Sequence, residues 1–218
     1  PPLGPGQIHD ANGVALAAAL AEVGVIVTPA RVTDDAAALV AVAARHAAEV
    51  DLVLTSGGVS AGAYEVVRDA FEGSGVTFGS VAMQPGGPQG WGTVRVHDRE
   101  LPVVCFPGNP VSSLVSFEAF LRPALHGVTG VGLPRRRWTG PVAHPVDSPV
   151  GKHQLRRGRV DVDGRAPLVG GPRPPPPAPP PEAPLLVSIP LGGDPPDEGD
   201  RVEVWALADP APHEKADR

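Results

Sequence analysis

The densest chemistry in the chain lies in seven residues after an apolar run. Ser56-Gly57-Gly58-Val59-Ser60-Ala61-Gly62 follows Asp51-Leu52-Val53-Leu54-Thr55. Glycines let a backbone curl until several N–H groups face one point, and such a nest holds an anion. Thr55, Ser56 and Ser60 add hydroxyl donors. A helix predicted to start near Ala63 adds the positive end of its dipole. Phosphate or a pterin suits this chemistry; the plainer alternative is a tight turn between strand and helix. A second loop reads Pro107-Gly108-Asn109-Pro110, with Ser112 after it. Two prolines brace it, Gly108 permits close approach, and Asn109 both donates and accepts hydrogen bonds. A proline-braced turn that caps the next helix is the competing reading.

Carboxylates stand near both loops. Asp10 and Asn12 open a helix-patterned stretch, where capping accounts for both. Asp34 and Asp35 also read as capping residues. Glu65, just past the first loop, suits Mg²⁺ or a leaving group, or is an ordinary first-turn carboxylate. His9, His97, His126, His144 and His153 show no metal-ligand spacing. Lys152, Arg156, Arg157 and Arg159 form either an oxyanion site or a solvated strand face.

The elements that position these groups alternate. Helical spacing predicts helices over residues 12–23, 33–48, 64–71 and 111–125. In the second, Thr33 is the expected cap, with Asp34 and Asp35 in the first turn. Strands are expected over residues 25–28, 51–55, 76–83, 93–96 and 102–106. Such alternation argues a mostly parallel sheet covered by helices, with ligands at the carboxyl ends of its strands. Both loops follow such ends. After Gly130 the pattern changes to short strand-like pieces at 138–143, 154–162, 185–189 and 201–207. These predict a small all-β domain. The reading is a domain over residues 1–130 and a second over 131–218, the latter interrupted by the proline run Pro172–Pro184. Proline lacks the N–H a ladder needs, so that run reads as polyproline II or disordered.

Composition narrows the function classes. The 218 residues carry a formal charge of -6, which argues against a nucleic-acid partner. With a single cysteine, Cys105, no internal disulfide and no thiolate cluster is possible, which fits a reducing cytoplasm. No apolar run reaches the roughly 18–20 residues of a membrane-spanning helix, and no leader is visible at the start.

Together these segments resemble the molybdopterin molybdenumtransferase family, its carboxy-terminal half. Gly6-Gln7-Ile8-His9-Asp10-Ala11-Asn12 is similar to a G-x-I-x-D-x-N opening, and residues 51–62 match the family's loop. Residues 83–91 and 106–117 match its P-G-x-P and P-G-N-P-V-S segments. The resemblance implies a three-layer α/β/α molybdopterin-binding domain followed by a small β domain. It implies insertion of molybdate into adenylylated molybdopterin with release of AMP, assisted by Mg²⁺. The implied catalytic residues are Asp10, Glu65 and Ser112, with Asp10 and Glu65 also as metal ligands. The implied substrate-binding residues are Thr55, Ser56, Gly57, Gly58, Ser60, Gly62, Pro107, Gly108, Asn109 and Pro110. Two departures stand out. Gln84 and Gly87 replace lysines, and the strand and two domains that precede the opening in the family, and form its homodimer, are absent. The alternatives are a pterin-binding module without insertase activity, an adenylyltransferase-like activity, and an interaction scaffold built on the proline run.

Overall fold

A computed structural model describes residues 9–60, 65–132, 134–158 and 185–208. Gly62 and the proline run lie outside these. Two compact units are present, Pro1–Val81 with Gly86–Leu133, and Ala82–Pro85 with Pro134–Arg218.

In the first unit, helix α1 (Ala11–Ala21) starts at Asp10, whose carboxylate accepts from the Gly13 N–H at 2.8 Å. Leu16, Ala19 and Leu20 form its buried face. Helix α2 (Ala36–His46) is capped by Asp35, not Thr33. The extended backbone of Asp35 lets its carboxylate reach the Ala37 N–H at 2.9 Å, two residues later than the expected cap. The remaining elements are β1 (Val53–Ser56), α3 (Val66–Phe71), β2 (Val76–Ser80), β4 (Pro88–Val96), β5 (Arg99–Phe106), α4 (Pro110–Ser116) and α5 (Arg122–Thr129). A π-helical turn, Phe117–Leu121, joins α4 to α5.

The sheet runs β1-β5-β4-β2. Only β1 and β5 are parallel, so the expected mostly parallel sheet is a mixed one. The cause is local. His97 and Asp98 form a two-residue turn between β4 and β5, with His97 at φ 53°, and a hairpin that short makes its strands antiparallel. Residues 25–28 were expected as a strand and are not one. Val25 and Val27 do pack on the core beside Leu52 and Leu54, while Ile26 is 96% exposed. The alternation of a strand is present, but no described strand lies beside it to complete a ladder.

Strand β5 shows how the layers form. Leu101, Val103 and Cys105 face a core with Leu39, Val67 and Phe71 from α2 and α3. Val104 and Phe106 face the opposite core with Leu16, Leu20, Phe117 and Leu121. Both sheet faces are therefore covered, which is the three-layer α/β/α arrangement. The second helix layer is tied internally. Arg122 lies 2.9 Å from Glu118 and 2.6 Å from Glu22 at the end of α1. Its guanidinium also stacks over the Phe117 ring.

The second unit holds β6 (Arg137–Pro141), β7 (His153–Gly158), β8 (Leu185–Ile189) and β9 (Arg201–Ala206). A two-residue strand from mid-chain, β3 (Met83–Gln84), pairs with β7, and the sheet order is β3-β7-β8-β9-β6. The strand expected over 76–83 thus ends at Ser80. A turn closed by Val81 N–H and Gly87 C=O redirects the chain, and the His153 N–H then donates to the Ala82 carbonyl. Val142, Val146, Val187, Val202 and Val204 form this unit's core.

Candidate functional site

Parallel pairing of β1 with β5 sends both loops off the same end of the sheet. The last register pair is Ser56 with Phe106, and the Gly57 N–H continues the ladder to the Phe106 carbonyl at 2.9 Å. Gly57 then turns at φ +94°, a conformation that favours glycine. A Cβ placed on Gly108 would stand 3.3 Å from the Gly57 Cα. The two loops therefore touch through bare Cα atoms. A third segment joins them: the Asn12 side-chain N–H donates to the Gly108 carbonyl at 2.8 Å. Thr55, Ser56, Gly57, Gly58, Pro107, Gly108, Asn109 and Pro110 are gathered at this end, with Asp10 at the start of the α1 helix that carries Asn12.

Hydrogen bonding shows which groups are already committed. The Asn109 carboxamide oxygen accepts from the Val111 N–H at 3.0 Å and the Ser112 N–H at 3.1 Å, and the Ser112 hydroxyl lies 3.4 Å away. The capping reading of this loop is thus realised, and those two N–H groups are not open to an anion. Pro110 occupies the first helical position, where its missing N–H costs nothing. Ser113, which sequence reasoning passed over, is fully buried and donates to the Pro107 carbonyl. Its signal in the sequence is only a second serine after the loop. Among the described residues, nothing accepts from the N–H groups of Gly58, Val59, Gly108 or Asn109.

Glu65 is the N-cap residue of α3, and its carboxylate accepts from the Ser60 N–H at 3.1 Å. Asp10 is split between capping Gly13 and facing Arg31 at 3.7 Å. Gly58 plays a different part from its neighbour. At φ +65°, its Cβ would meet the Val67 backbone nitrogen at 2.9 Å, so this glycine serves packing against α3. Beneath the loops, the Thr55 hydroxyl is buried with no nitrogen or oxygen partner and faces the Cys105 thiol, a weak sulfur contact. Burial pushes that thiol up to about 11, and the Thr55 contact pulls the other way.

Mg²⁺ prefers near-octahedral oxygen coordination. Among the described residues, no three His, Cys, Asp or Glu side chains are gathered to hold a metal, and both Asp10 and Glu65 are engaged as above. Mg²⁺ commonly takes only one or two carboxylates and completes its shell with water and substrate phosphates. His153 bonds the Ser188 hydroxyl at 2.9 Å and Arg156 donates to the Asp147 carbonyl, both within the second unit. Arg159 lies outside the described residues.

Each unit also holds a concavity. One, in the first unit, is apolar and lined by Trp91, Phe106, Phe120 and Leu121 among others. Gln89, its polar group, already donates to Gly86 and Ser116. The other, in the second unit, is lined by Thr139, His153, Ser188 and Arg201 among others. Neither is lined by the two glycine loops that follow the parallel pair β1 and β5.

An α/β/α domain whose glycine loops meet at the carboxyl ends of adjacent parallel strands belongs to the class that binds small molecules at such ends. The family profile described as "Probable molybdopterin binding domain" matches residues 3–127. The chain is 46% identical over 180 residues to Molybdopterin molybdenumtransferase 2 of Mycobacterium tuberculosis (strain CDC 1551 / Oshkosh), covering 78% of this chain and 44% of that protein. It is 32% identical over 219 residues to Molybdopterin molybdenumtransferase 1 of the same strain, covering 94% and 50%. The crystal structure of the molybdopterin biosynthesis moea protein from Pyrococcus horikosii superposes with a TM-score of 0.72 at 27% identity, over 94% of this chain and 50% of that one. The chain belongs to the molybdopterin-binding domain family. It spans about half the length of the curated relatives it matches.

Proposed function

We propose that this chain is the pterin-binding part of a molybdenumtransferase, acting in molybdenum cofactor biosynthesis. Its substrate is adenylylated molybdopterin, and the reaction inserts molybdate and releases AMP. One observation carries this reading: the Gly57–Gly108 contact, with its unbonded backbone donors, lies inside the segment that matches the family. In this proposal the phosphate-bearing part of the substrate is held by the N–H groups of the two loops. Ser112 and Asn109 border the reacting end. Asp10 and Glu65 shape the site by fixing the start of α1 and by tying Ser60 to the start of α3. Molybdate enters as a substrate. Mg²⁺ would be held by Asp10 and Glu65 together with water and substrate phosphate oxygens.

The binding test is calorimetry of the purified chain with molybdopterin and with its adenylylated form. Saturable binding at one site per chain, weakened by Gly57→Ala, is expected; absence of binding refutes the reading. The activity test adds molybdate and follows AMP release and active cofactor.

A second reading, binding without insertion, is favoured by Gln84 and Gly87. Gln84 lies in β3, where its side-chain oxygen accepts from Gln154 at 3.3 Å, and neither position supplies a charge to an oxyanion. Pterin affinity without AMP release would select it. An adenylyltransferase-like activity would instead consume ATP and molybdopterin. The reduced thiol of Cys105 suits a cytoplasmic setting, and no described helix is long and apolar enough to cross a membrane. A homodimer is proposed only together with the further domains that the relatives' greater length accommodates.

A further inference from the structure

Asn12 stands in the first turn of α1, where a capping role would need nothing but its neighbours. Its actual bond reaches across 96 residues of chain to the Gly108 carbonyl. The bond also settles which way the carboxamide points, because the reversed orientation would set oxygen against oxygen. The side-chain oxygen of Asn12 is then buried with no hydrogen-bond partner among the described residues. A buried unpaired acceptor is costly, and an apolar side chain would avoid the cost. Helix capping does not explain the arrangement either, since Asp10 already caps α1.

The consequence lies on the other side of the peptide plane. The Gly108–Asn109 bond is trans, because the one cis peptide among the described residues is Gln84–Pro85. In a planar trans peptide the C=O and the N–H point in opposite directions. With the Gly108 carbonyl drawn toward Asn12, the Asn109 N–H points away from Asn12, and no described group accepts from it. Gly108 has no side chain to resist rotation of this peptide, and the Asn12 bond is the one described hydrogen bond that the peptide itself makes. The Asn109 carboxamide is meanwhile spent on Val111 and Ser112.

We infer that Asn12 is a positioning residue, which locks the Gly108–Asn109 peptide so that the Asn109 N–H is presented to the anionic part of the substrate. The inference rests on the pterin site proposed above. Preset donors are what distinguish an anion site from a loop that must rearrange on binding. Asn12 itself need not touch the ligand.

The test uses the full 218-residue chain with Asn12→Asp and Asn12→Ala. Asn12→Asp keeps the shape, removes the donor and places a carboxylate against the Gly108 carbonyl, which should turn the peptide. Thermal unfolding of both variants controls for folding. The first readout needs no ligand: the amide nitrogen shift and hydrogen exchange of Asn109 should change in both variants. Those of Val111, held by the Asn109 side chain, should change less. An unaltered Asn109 amide overturns the inference whatever the ligand does. The second readout is affinity for adenylylated molybdopterin. Losing one bond to a charged ligand predicts a drop of about tenfold to a hundredfold, larger for Asn12→Asp than for Asn12→Ala. A merely structural role would lower the melting temperature without that ranking. If the unsubstituted chain fails to bind, the pterin reading falls, and the Asn109 amide still decides the positioning role. If it binds and both variants bind equally well, the positioning role falls and the pterin reading stands.

Discussion

Gly108→Ala separates a loop contact that serves binding from one that serves packing. The added Cβ would stand 3.3 Å from the Gly57 Cα, against about 3.5–4.0 Å for relaxed carbon pairs. The loops must part by a few tenths of an ångström. Gly108 is not at positive φ, so alanine meets no backbone strain of its own. Mild overpacking costs about 1 kcal/mol. Removing a glycine from the unfolded chain returns about 0.4–1 kcal/mol. The net stability change is therefore close to zero. Binding has no such offset, because the shift falls on the unbonded N–H groups at the junction. Partial loss of one charge-assisted hydrogen bond predicts about tenfold weaker pterin binding. Gly58→Ala is the contrasting variant. It combines positive φ with a 2.9 Å approach to the Val67 nitrogen. It should lose about 2–3 kcal/mol of stability, from left-handed strain and overpacking together. Urea denaturation and calorimetry with molybdopterin measure the two effects separately. The reasoning fails if Gly108→Ala binds as tightly as the unsubstituted chain, or if the two variants lose equal stability.

Cys105 predicts an alkaline weakness. Its thiol titrates near 11 in the fold against an ordinary 9.0, so the unfolded chain loses its proton first. Its contribution to stability is intact below pH 9.0 and declines as pH rises through about 11. Denaturation midpoints at the two ends of that window, compared with Cys105→Ala, isolate this from other groups titrating there. Arg122→Ala removes a counter-charge from Glu118, which is 6% exposed, and should cost about 3–5 kcal/mol by urea denaturation. A loss below about 1 kcal/mol would show that the pair adds little, as exposed pairs do. The chain alone is expected to bind adenylylated molybdopterin yet insert molybdate far more slowly than a full-length relative. Gln84→Lys with Gly87→Lys should raise the rate only when the relatives' remaining domains are supplied. Turnover equal to a full-length relative would refute this.

Local spacing determined much of what the chain shows. The glycine loop follows β1, the Pro-Gly-Asn-Pro loop follows β5, and Asp10 and Asn109 cap helices, because each depends on backbone geometry within a few residues. The change to short strands after Gly130 was equally legible, since apolar alternation is a local signal. Pairing was not legible. Residues 25–28 alternate like a strand, yet a ladder needs a neighbour that local pattern does not supply. The sheet became mixed because of one two-residue turn at His97 and Asp98. Met83 left the strand it was expected to end and, with Gln84, joined β7, some seventy residues away, through backbone bonds that carry no side-chain signature. The site divides the same way. Its residue types were visible, but the division of labour between Gly57 and Gly58 depends on what lies beyond each Cα, Gly108 for one and Val67 for the other. Asn12 read as a helix-start residue, and only the fold brings its carboxamide to Gly108, because hydrogen bonds over such distances are set by packing and not by spacing.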